Sequence, residues 1–566
     1  MNNEILPRPS TPELFTRLPL FIVLPSAAAG TTAGTTAIAL HADLPVATGI
    51  GLAVAALGAV RIRKTNVWRI LGMRIALRWR NRRGNAIGAR TEPFDVTLPE
   101  SDGTRCGMRW DGRHLITMLA LERTGVRPTL LSSAEIRADA AVSLADVARC
   151  LAQFDIRLAA VDVVTLGVRT QGPDNVVRVY EKLLGPLPAA AAQTVWLVLR
   201  IDPLDNAGAI DNRGGGQPGM VRTALVATRR VAARLATRGV RVSVLTATEL
   251  AAAEAVALHD TDPQQWAEDW RSVRSDGVEL AGYAVRPERL NAEALAAVWA
   301  LPGKSVLTRL RLTPASGSAA TQRDHAVALT ALVRQDKAGA GHHDADTSAL
   351  ELGLLPLRGR QRRVLLDGGD LDTPVARHGT PATLSDFTVP AGGCGQVIGA
   401  TGDGFGVAVS LFGPEIRRVE IVGSLWLTQL MILRSIAVGA QAIVHTTRPQ
   451  AWAHLVSAVD APAALSVSSP GGAAHHTAAA TMIVYDGVAA TGQVSEATAV
   501  HVRSQTASSS VVLGADVALI GSAGEPGTVI VRTKGRELVV QVVSIPEETE
   551  YLGTAETPAE SVLQPA

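Results

Sequence analysis

Two uncharged apolar segments near the start of the chain restrict its fold more than any other feature. Residues 18–40 carry no formal charge over 23 positions, and residues 44–60 carry none over 17 positions. A membrane-spanning helix needs roughly 20 apolar residues, and about 17 is the lower limit. Only His41, Ala42 and Asp43 separate the two segments. The pattern therefore predicts a transmembrane hairpin with helices at 18–40 and 44–60.

A signal peptide and a buried soluble hairpin are the alternatives for this region. Glu4 and Glu13 precede the first apolar segment, and the basic residues come only after the second, which is atypical of a signal peptide. Asp43 is expected at the far membrane face, because a carboxylate at the bilayer centre is costly. Gly30 and Gly34 have the GxxxG spacing that lets helices approach closely, and we take them as candidates for helix packing.

A block of basic residues follows the second apolar segment. Nine basic residues and no acidic residue lie between Arg61 and Arg83, so the total charge of +2 leaves −7 for the rest of the chain. A chain that is basic only beside an apolar segment favours a membrane surface over nucleic acid as its partner. Because Lys and Arg stay on the cytoplasmic side, we expect a multi-pass protein of the cytoplasmic membrane with both termini in the cytoplasm.

Within this block, residues 66–83 have the pattern of an amphipathic helix. Apolar residues recur at helical spacing, namely Trp68, Leu71, Ile75 and Trp79, and arginines fill much of the remaining face. Such a helix directly after a membrane span suits the headgroup layer. A plain positively charged anchor without a specific partner and a docking helix for another membrane protein are the alternatives. The candidate residues for a membrane interface or partner contact are Arg61, Arg63, Lys64, Trp68, Arg69, Arg74, Arg78, Trp79 and Arg80.

The remainder of the 566 residues is long enough for several domains. From Thr91 onward, segments typical of strands alternate with segments typical of helices, which predicts an α/β cytoplasmic body. Residues 418–423, 424–438 and 441–446 predict a strand, a helix and a strand, a βαβ unit within a strand-rich second region. The expected organisation is a cytoplasmic N-terminus at 1–17, the transmembrane hairpin at 18–60, a basic juxtamembrane helix at 61–90, a first α/β domain at 91–334, a linker at 335–386, a second α/β, strand-rich domain at 387–545 and a disordered acidic tail at 546–566.

Several of these segments together resemble a known family. The matching features include the apolar hairpin with the basic residues that follow it, and the glycine loop at 214–216 with its Arg-rich helix. Five short segments also match, namely residues 148–156, 161–164, 184–188, 194–200 and 417–423. In this pattern the chain resembles EccE, a membrane component of the mycobacterial type VII (ESX) secretion system, over most of residues 15–455. The resemblance implies a cell-membrane assembly with EccB, EccC, EccD and the mycosin protease. It brings no catalytic signature that can be carried over to this chain.

Three glycine-containing turns are candidate phosphate sites. The loop at 214–216 precedes a predicted helix, where backbone N–H groups can hold an anion, but the P-loop pattern needs a lysine that is missing here. The glycines at 395–406 also lack that lysine and favour a turn between strands. The turn at 423–424 has one glycine where the dinucleotide fingerprint has three. We therefore expect no bound cofactor.

The cysteines, histidines and carboxylates of the chain give equally weak support for a metal site. Cys106, Cys150 and Cys394 are odd in number and far apart, which argues against a disulfide framework or a Cys-based zinc site and fits a reducing compartment. The histidine pairs at 342–343 and 475–476 lie in Gly/Ala-rich stretches without HExxH or CxxC nearby. Carboxylates follow a strand end at Asp202, Asp205 and Asp211, but not with DxD spacing, and DxD occurs at 260–262, 344–346 and 370–372 without a clear preceding strand. We expect no metal site.

Arginines gather on the predicted helix after the glycine loop. Four of them fall near one face, namely Arg222, Arg229, Arg230 and Arg234. They suit an acidic partner or anionic lipid, and a solvated helix face is the alternative. The chain lacks the aromatic residues interleaved with basic ones that nucleic-acid binding needs, so no nucleic acid is expected.

Two functions of different class follow from these patterns together with the resemblance, which alone implies the role in protein export. The favoured one is a non-enzymatic structural subunit, anchored by the hairpin, whose body packs against neighbouring subunits of an export machinery and supports protein secretion. The alternative is a membrane-anchored nucleotide- or sugar-nucleotide-binding enzyme or sensor, with one of the glycine turns as its site.

Overall fold

The computed structural model describes most of the chain. The described residues are 20–59, 61–62, 65–83, 91–97, 105–123, 125–315, 326–337, 342–367, 376–468, 480–490, 496–504, 514–522, 524–525 and 527–553. Its helices are α1 (Leu20–Ala39), α2 (Leu44–Ala59), α3 (Val67–Arg83), α4 (Leu144–Ala148), α5 (Asp174–Leu184), α6 (Ala207–Asp211), α7 (Gly216–Ala236), α8 (Ala247–Ala257), α9 (Ala292–Ala297), α10 (His342–Glu351), α11 (Gln361–Asp367), α12 (Leu425–Ala437), α13 (Pro449–Val459) and α14 (Pro546–Leu552).

The strands are numbered in chain order. They are β1 (Arg61–Ile62), β2 (Thr65–Asn66), β3 (Phe94–Thr97), β4 (Arg105–Trp110), β5 (Leu115–Leu121), β6 (Thr129–Leu131), β7 (Ile136–Arg137), β8 (Ala141–Ser143), β9 (Ala152–Gln153), β10 (Ile156–Arg157), β11 (Ala160–Val168), β12 (Ala192–Ile201), β13 (Val242–Val244), β14 (Ala267–Glu268), β15 (Val273–Ser275), β16 (Val278–Ala284), β17 (Ser305–Pro314), β18 (Val327–Asp336), β19 (Leu355–Pro356), β20 (Arg377–Gly379), β21 (Thr388–Pro390), β22 (Gln396–Ala400), β23 (Gly406–Val409), β24 (Arg418–Val422), β25 (Ala442–Thr446), β26 (Leu465–Ser468), β27 (Met482–Asp486), β28 (Thr498–Arg503), β29 (Val517–Gly521), β30 (Thr528–Thr533) and β31 (Arg536–Gln541).

The chain divides into two compact units. The N-terminal unit comprises the residues up to Ala86 together with two short pieces from later in the chain, Ala267–Trp270 and Arg358–Arg360. The second unit, called the body below, contains the remaining residues. The mixed α/β character predicted for the residues after Thr91 is confirmed.

The N-terminal unit contains the predicted pair of helices, α1 and α2, joined by a short turn in which His41 has φ +68°. By length and apolar content, no helix among the described residues qualifies to span a membrane. One feature of each helix accounts for this result. Glycine and threonine fill much of the second half of α1, and α2 has 16 residues where about 17 is the lower limit. The predicted positions 18, 19 and 60 lie outside the described residues.

The first large sheet of the body is antiparallel. Its strand order is β15-β16-β18-β17-β11-β12-β5-β4-β3, with β13 added beside β5. Residues 107–112 followed by 114–120 have the sequence pattern of a hairpin with an Asp-Gly turn, and the structure confirms it as β4 and β5, where Trp110 pairs with Leu115. Alternate residues of the central strands point to opposite faces, because side chains in a strand have a period of two. One face packs under α7 through Val231, and the other packs under α8 through Leu250.

The second large sheet changes direction along its width. Its order is β26-β25-β27-β28-β24-β29-β30-β31-β22-β23-β6-β7, parallel from β26 to β29 and antiparallel beyond. The predicted βαβ unit is present as β24, α12 and β25, and two other strands separate β24 from β25. The strands β6 and β7 come from the segment predicted as the first domain, so that segment contributes to both sheets.

Two segments predicted to be irregular contain regular structure. The segment 335–386, predicted as a linker, carries α10, β19, α11 and β20. Its Gly-, His- and Asp-rich composition concealed an inward face on α11, where Val364 is buried and the Gln361 side chain accepts a hydrogen bond of 2.6 Å from the Gly282 amide.

The C-terminal tail also needs correction. It was predicted as disordered from residue 546, but α14 occupies Pro546–Leu552. Its acidic composition suggested disorder, yet Glu548 is buried against Arg434 of α12, a partner that local composition could not reveal. Residues 554–566 of the predicted tail lie outside the described residues.

Candidate interaction surface of the N-terminal helices

Close backbone contact holds α1 against α2. A Cβ atom built on Gly30 would lie 2.6 Å from the Gly51 carbonyl oxygen and 2.9 Å from the Ala55 Cβ. A Cβ on Gly34 would lie 3.3 Å from the Ala47 carbonyl oxygen. Glycine at these positions lets the two helix backbones approach each other. The spacing Ala47, Gly51, Ala55 repeats small residues every four positions, and this signal in α2 was missed from the sequence.

The hydroxyl groups of α1 are satisfied within the helix. Thr32 and Thr36 donate to carbonyl oxygens four residues earlier, at 2.9 Å and 2.7 Å. Thr35 donates in the same way to the Thr31 carbonyl oxygen, and Thr31 donates to the Ala28 carbonyl oxygen three residues earlier. Such bonds let a threonine lie in apolar surroundings without an unpaired donor. The polar composition of α1 therefore does not translate into polar groups that need water.

The helix α3 is attached by both of its ends. Near its start, the Trp68 indole Nε1 donates a hydrogen bond of 2.8 Å to the Ser26 hydroxyl of α1. Near its end, the Arg80 guanidinium donates to the Gly359 carbonyl oxygen at 2.7 Å and lies 3.6 Å from the Glu268 carboxylate. These contacts fix which side of α3 faces the rest of the N-terminal unit.

Two further side chains complete this attachment. Asn81 donates to the Glu268 carbonyl oxygen at 2.8 Å, and the Arg74 guanidinium lies 5.2 Å from the centre of the Trp270 ring. A cation over an aromatic face is attracted by the negative charge of the ring. Glu268, Trp270 and Gly359 were not found from the sequence, because nothing in their local sequence links them to α3.

Part of the surface of α3 presents apolar and basic side chains to solvent. Leu71, Ile75 and Trp79 are 45%, 60% and 54% exposed. Arg78 and Arg82 are exposed on the same side, because residues three and four apart share one face of a helix. We call these five residues, Leu71, Ile75, Arg78, Trp79 and Arg82, the α3 stripe.

The structure therefore separates the residues that the sequence grouped together. Trp68, Arg74 and Arg80 hold α3 within the N-terminal unit, whereas Arg78 and Trp79 belong to the α3 stripe. Four predicted candidates lack a side-chain description: Arg61 and Arg69 are described by backbone only, and Arg63 and Lys64 lie outside the described residues.

The glycine turns are accounted for by the fold. All three glycines at 214–216 have positive φ, and Arg222 of α7 donates a hydrogen bond of 3.0 Å to the carbonyl oxygen of Arg213 beside them. The glycines at 395–406 surround the antiparallel pair β22 and β23, so the predicted turn between strands is confirmed. At 423–424, Ser424 caps α12 by accepting from the Leu427 amide at 3.2 Å.

The carboxylates after β12 do not converge. Asp202 is buried and accepts from the Arg113 guanidinium at 3.0 Å and from the Leu204 amide at 2.9 Å, while Asp205 and Asp211 are exposed. Within the part of the chain that the structure describes, no three His, Cys, Asp or Glu residues are placed to share a metal ion. The pair at 475–476 lies outside that part, and the side chains at 342–343 are not described.

One cluster that the sequence did not reveal contains serine, histidine and aspartate. The Nε2 atom of His259 lies 3.1 Å from the Ser305 hydroxyl and 3.8 Å from the Asp336 carboxylate. In a nucleophilic triad, the carboxylate contacts the other ring nitrogen, Nδ1. Burial and the neighbouring Arg334 lower the pKa of His259, and Ser305 is buried. The cluster therefore lacks the geometry of a catalytic triad.

Buried carboxylates of the body are held by arginines. Arg311 donates to both oxygens of Asp162, at 2.6 Å and 2.9 Å, and Arg200 approaches at 3.3 Å. Burial alone would raise the pKa of Asp162, but these two guanidinium groups outweigh it and hold that pKa well below its usual range. The arrangement stabilises an ionised carboxylate and is not arranged for proton transfer.

The chain is similar to known secretion proteins. Residues 189–285 match the family model described as "EccE: Putative type VII ESX secretion system translocon, EccE". It is 25% identical over 427 residues to the ESX-1 secretion system protein EccE1 of Mycolicibacterium smegmatis, covering 73% of this chain and 79% of the relative. It is 25% identical to the ESX-2 secretion system protein EccE2 of Mycobacterium tuberculosis, covering 68% and 66%. It is 28% identical to the ESX-5 secretion system protein EccE5 of Mycobacterium marinum, covering 54% and 80%.

Proposed function

Because the chain belongs to the EccE family, a component of the type VII ESX secretion system, we propose that it is a non-enzymatic structural subunit of an ESX membrane complex. In this role it anchors at the cytoplasmic membrane and packs beside the export machinery. The proposed neighbours are EccB, EccC, EccD and the mycosin protease. The chain itself turns over no substrate, and the energy for export comes from the ATPase partner EccC.

The single observation that carries this proposal is the α3 stripe. Three apolar side chains and two arginines face solvent on a helix that Trp68, Arg80 and Asn81 attach to other residues of the N-terminal unit. Apolar residues of such a helix enter the boundary between headgroups and acyl chains, while arginines pair with lipid phosphates. Each basic residue near an anionic membrane surface contributes about 1 kcal/mol. We therefore place the α3 stripe at the cytoplasmic headgroup layer.

The helix hairpin supports the same placement. The helices α1 and α2 contain no formally charged residue, and apolar side chains such as Leu24, Leu44 and Leu52 are 63%, 67% and 73% exposed. Exposed apolar surface of this kind marks contact with a membrane or another protein. We propose that the hairpin enters the apolar layer beside helices of other subunits, with both termini of the chain in the cytoplasm.

The test compares two apolar residues of equal exposure in the native host. Ile75 of the α3 stripe is 60% exposed and Val539 of β31 is 61% exposed. Ile75→Asp is expected to reduce the membrane-bound fraction of the chain and the secretion of ESX substrates at least fivefold, whereas Val539→Asp leaves both unchanged. Equal loss in the two variants, or no loss in Ile75→Asp, would contradict the proposal.

A second experiment separates the scaffold from the enzyme alternative. Asp205 and Asp211 are exposed in the segment that follows β12, where the enzyme alternative would hold its metal or sugar nucleotide. A scaffold tolerates Asp205→Asn and Asp211→Asn with secretion within twofold of the wild type. Loss of secretion in either variant, with normal protein level and normal complex recovery, would favour the enzyme.

A further inference from the structure

The most exposed large apolar side chain among the described residues is on the body. Phe154 is 98% exposed and lies at the tip of the short hairpin formed by β9 and β10. Its φ of +54° is in the left-handed region, where glycine and asparagine are favoured and a bulky aromatic residue is disfavoured. A phenylalanine here is neither buried nor suited to the local backbone, so neither packing nor turn geometry accounts for it.

The hairpin tip is held in place by arginines from other elements. Asp155, next to Phe154, pairs with Arg213 at 2.6 Å and with Arg230 of α7 at 3.3 Å. The hydrogen bonds from Arg213 and Arg230 lower the pKa of Asp155 to about 2. Arg230 also donates to the Gln153 carbonyl oxygen at 3.1 Å, and its guanidinium lies 5.2 Å from the centre of the Phe154 ring. The ring is therefore presented to solvent in a fixed position.

A second exposed apolar side chain lies on a loop tied to this hairpin. Leu204 is 87% exposed. Two residues further on, Asn206 accepts a hydrogen bond of 2.8 Å from the Arg157 amide of β10 and donates one of 2.9 Å to the Arg157 carbonyl oxygen. This pair of bonds joins the loop of Leu204 to the hairpin of Phe154. Two apolar anchors are thus carried by one rigid part of the body.

The surroundings of these anchors are positively charged. Residues 144–157 and 202–238 together contain eight arginines and five aspartates, a net charge of +3, although the chain after Arg83 is acidic overall. Five of these arginines are exposed, namely Arg149, Arg157, Arg222, Arg234 and Arg238. Exposed aromatic residues with flanking arginines are typical of the central residues of protein–protein interfaces.

We propose that Phe154 and Leu204 are the anchors of a docking surface for another protein subunit, whose matching surface has an apolar pocket rimmed by carboxylates. The proposal rests on the proposed function, because it takes the partner to be a subunit of the ESX complex. Charge complementarity selects the partner: the excess of arginines repels a basic surface and attracts an acidic one. A lipid surface is the competing occupant, and the test below distinguishes it.

Because the backbone at Phe154 is left-handed, the aromatic ring can be removed there by a substitution that does not destabilise the fold. Phe154→Asn places a residue that tolerates positive φ at the same position and removes the aromatic ring. We expect an unfolding midpoint equal to or above that of the wild type, together with at least tenfold lower recovery of the docked subunit with the tagged chain. An unchanged recovery of every subunit in Phe154→Asn and in Leu204→Ser would overturn the proposal. Val539→Ser, at another exposed apolar site, is the matched control.

The partner is identified by photocrosslinking in the native host. The full-length chain carries a benzophenone amino acid at position 154, at position 204 or, as control, at position 539. We expect adducts from 154 and 204 to one ESX subunit, at peptides rich in Asp and Glu, and none of these from 539. Adducts to lipid only, or to peptides of net positive charge, would overturn the proposal. If no ESX subunit co-purifies even with the wild-type chain, the proposed function fails, and this proposal fails with it.

Discussion

Two sets of arginines, one in the N-terminal unit and one in the body, have opposite environments. In the body, Arg434 is 1% exposed and pairs with Glu548 at 2.8 Å, and Arg311 pairs with the buried Asp162. In the N-terminal unit, Arg78 and Arg82 of the α3 stripe are exposed beside apolar side chains. The difference teaches that an arginine count says little about function. Arg434 and Arg311 hold carboxylates inside the fold, whereas Arg78 and Arg82 face outward.

The largest expected effect comes from a substitution that breaks the buried ion pair of the body, Arg434 with Glu548. Arg434 donates to both oxygens of Glu548 at 2.8 Å and to the carbonyl oxygens of Val397, Ile398 and Val543. Glu548→Ala leaves a buried guanidinium without its carboxylate, so the free energy of unfolding is expected to fall by about 3–5 kcal/mol. Denaturant unfolding of the full chain in mild detergent measures it. The neighbouring Glu547 is exposed and pairs with Lys182, so Glu547→Ala is the control and should leave the midpoint unchanged.

A second prediction uses pH on the other buried carboxylate. The pKa of Asp162 is lower in the folded chain than in the unfolded chain, so its contribution to stability is present above the unfolded pKa of about 3.9. That contribution is lost as the pH falls toward the folded pKa. Asp162→Asn should lower the free energy of unfolding by about 3 kcal/mol at pH 7. The difference in free energy of unfolding between the wild type and Asp162→Asn should become smaller as the pH falls below about 5. A gap that is independent of pH would show that the charge of Asp162 is not what the arginines recognise.

The third prediction concerns the helix pair of the N-terminal unit. Gly51→Leu is expected to separate α1 from α2, because even a Cβ there would lie 2.8 Å from the Gly30 carbonyl oxygen. Overpacking of this kind costs typically about 1–3 kcal/mol. Gly49→Ala is the control, since nothing lies within 4 Å of the Cβ position at Gly49. Hydrogen exchange of residues 20–59 should become faster in Gly51→Leu and not in Gly49→Ala; equal exchange in the two would contradict the close approach.

The smallest expected effect sharpens the contrast between the two sets of arginines. Arg78→Gln and Arg82→Gln should each weaken binding of the full chain to anionic vesicles by about 1 kcal/mol, roughly fivefold, with no change in unfolding. Arg532, which pairs with Glu537 in the body, is the control, and Arg532→Gln should bind as the wild type does. Co-flotation at low and high salt measures the difference, which should shrink at high salt because exposed charges are screened. Equal loss in all three variants would mean that the two regions do not differ.

Local patterns predicted the elements that local interactions form. The hairpin of β4 and β5, the helix pair α1 and α2, and the strand–helix–strand run around α12 are all present. Turn residues and apolar periodicity depend on neighbours in sequence, so one sequence is enough to read them.

Long-range pairing could not be predicted in the same way. Glu548 meets Arg434 across 114 residues, and Gly359 meets Arg80 across 279 residues. The strands β6 and β7 join a sheet whose other members begin at Gln396. Residues 143–154 have the sequence pattern of one helix, but α4 ends at Ala148 and the short hairpin of β9 and β10 follows it. In the candidate surface, periodicity identified the face of α3, and only the tertiary structure shows which of its residues contact Ser26, Glu268, Trp270 and Gly359.

The most direct test of the central claim is the composition of the assembly that contains the chain. A tagged chain is extracted from its native membrane in mild detergent, separated on a native gel, and all co-migrating proteins are identified by mass spectrometry. The account predicts one large complex that contains an FtsK-type ATPase together with other ESX membrane subunits. A stable monomer or homo-oligomer without these partners, recovered from membranes that still secrete ESX substrates, would contradict it.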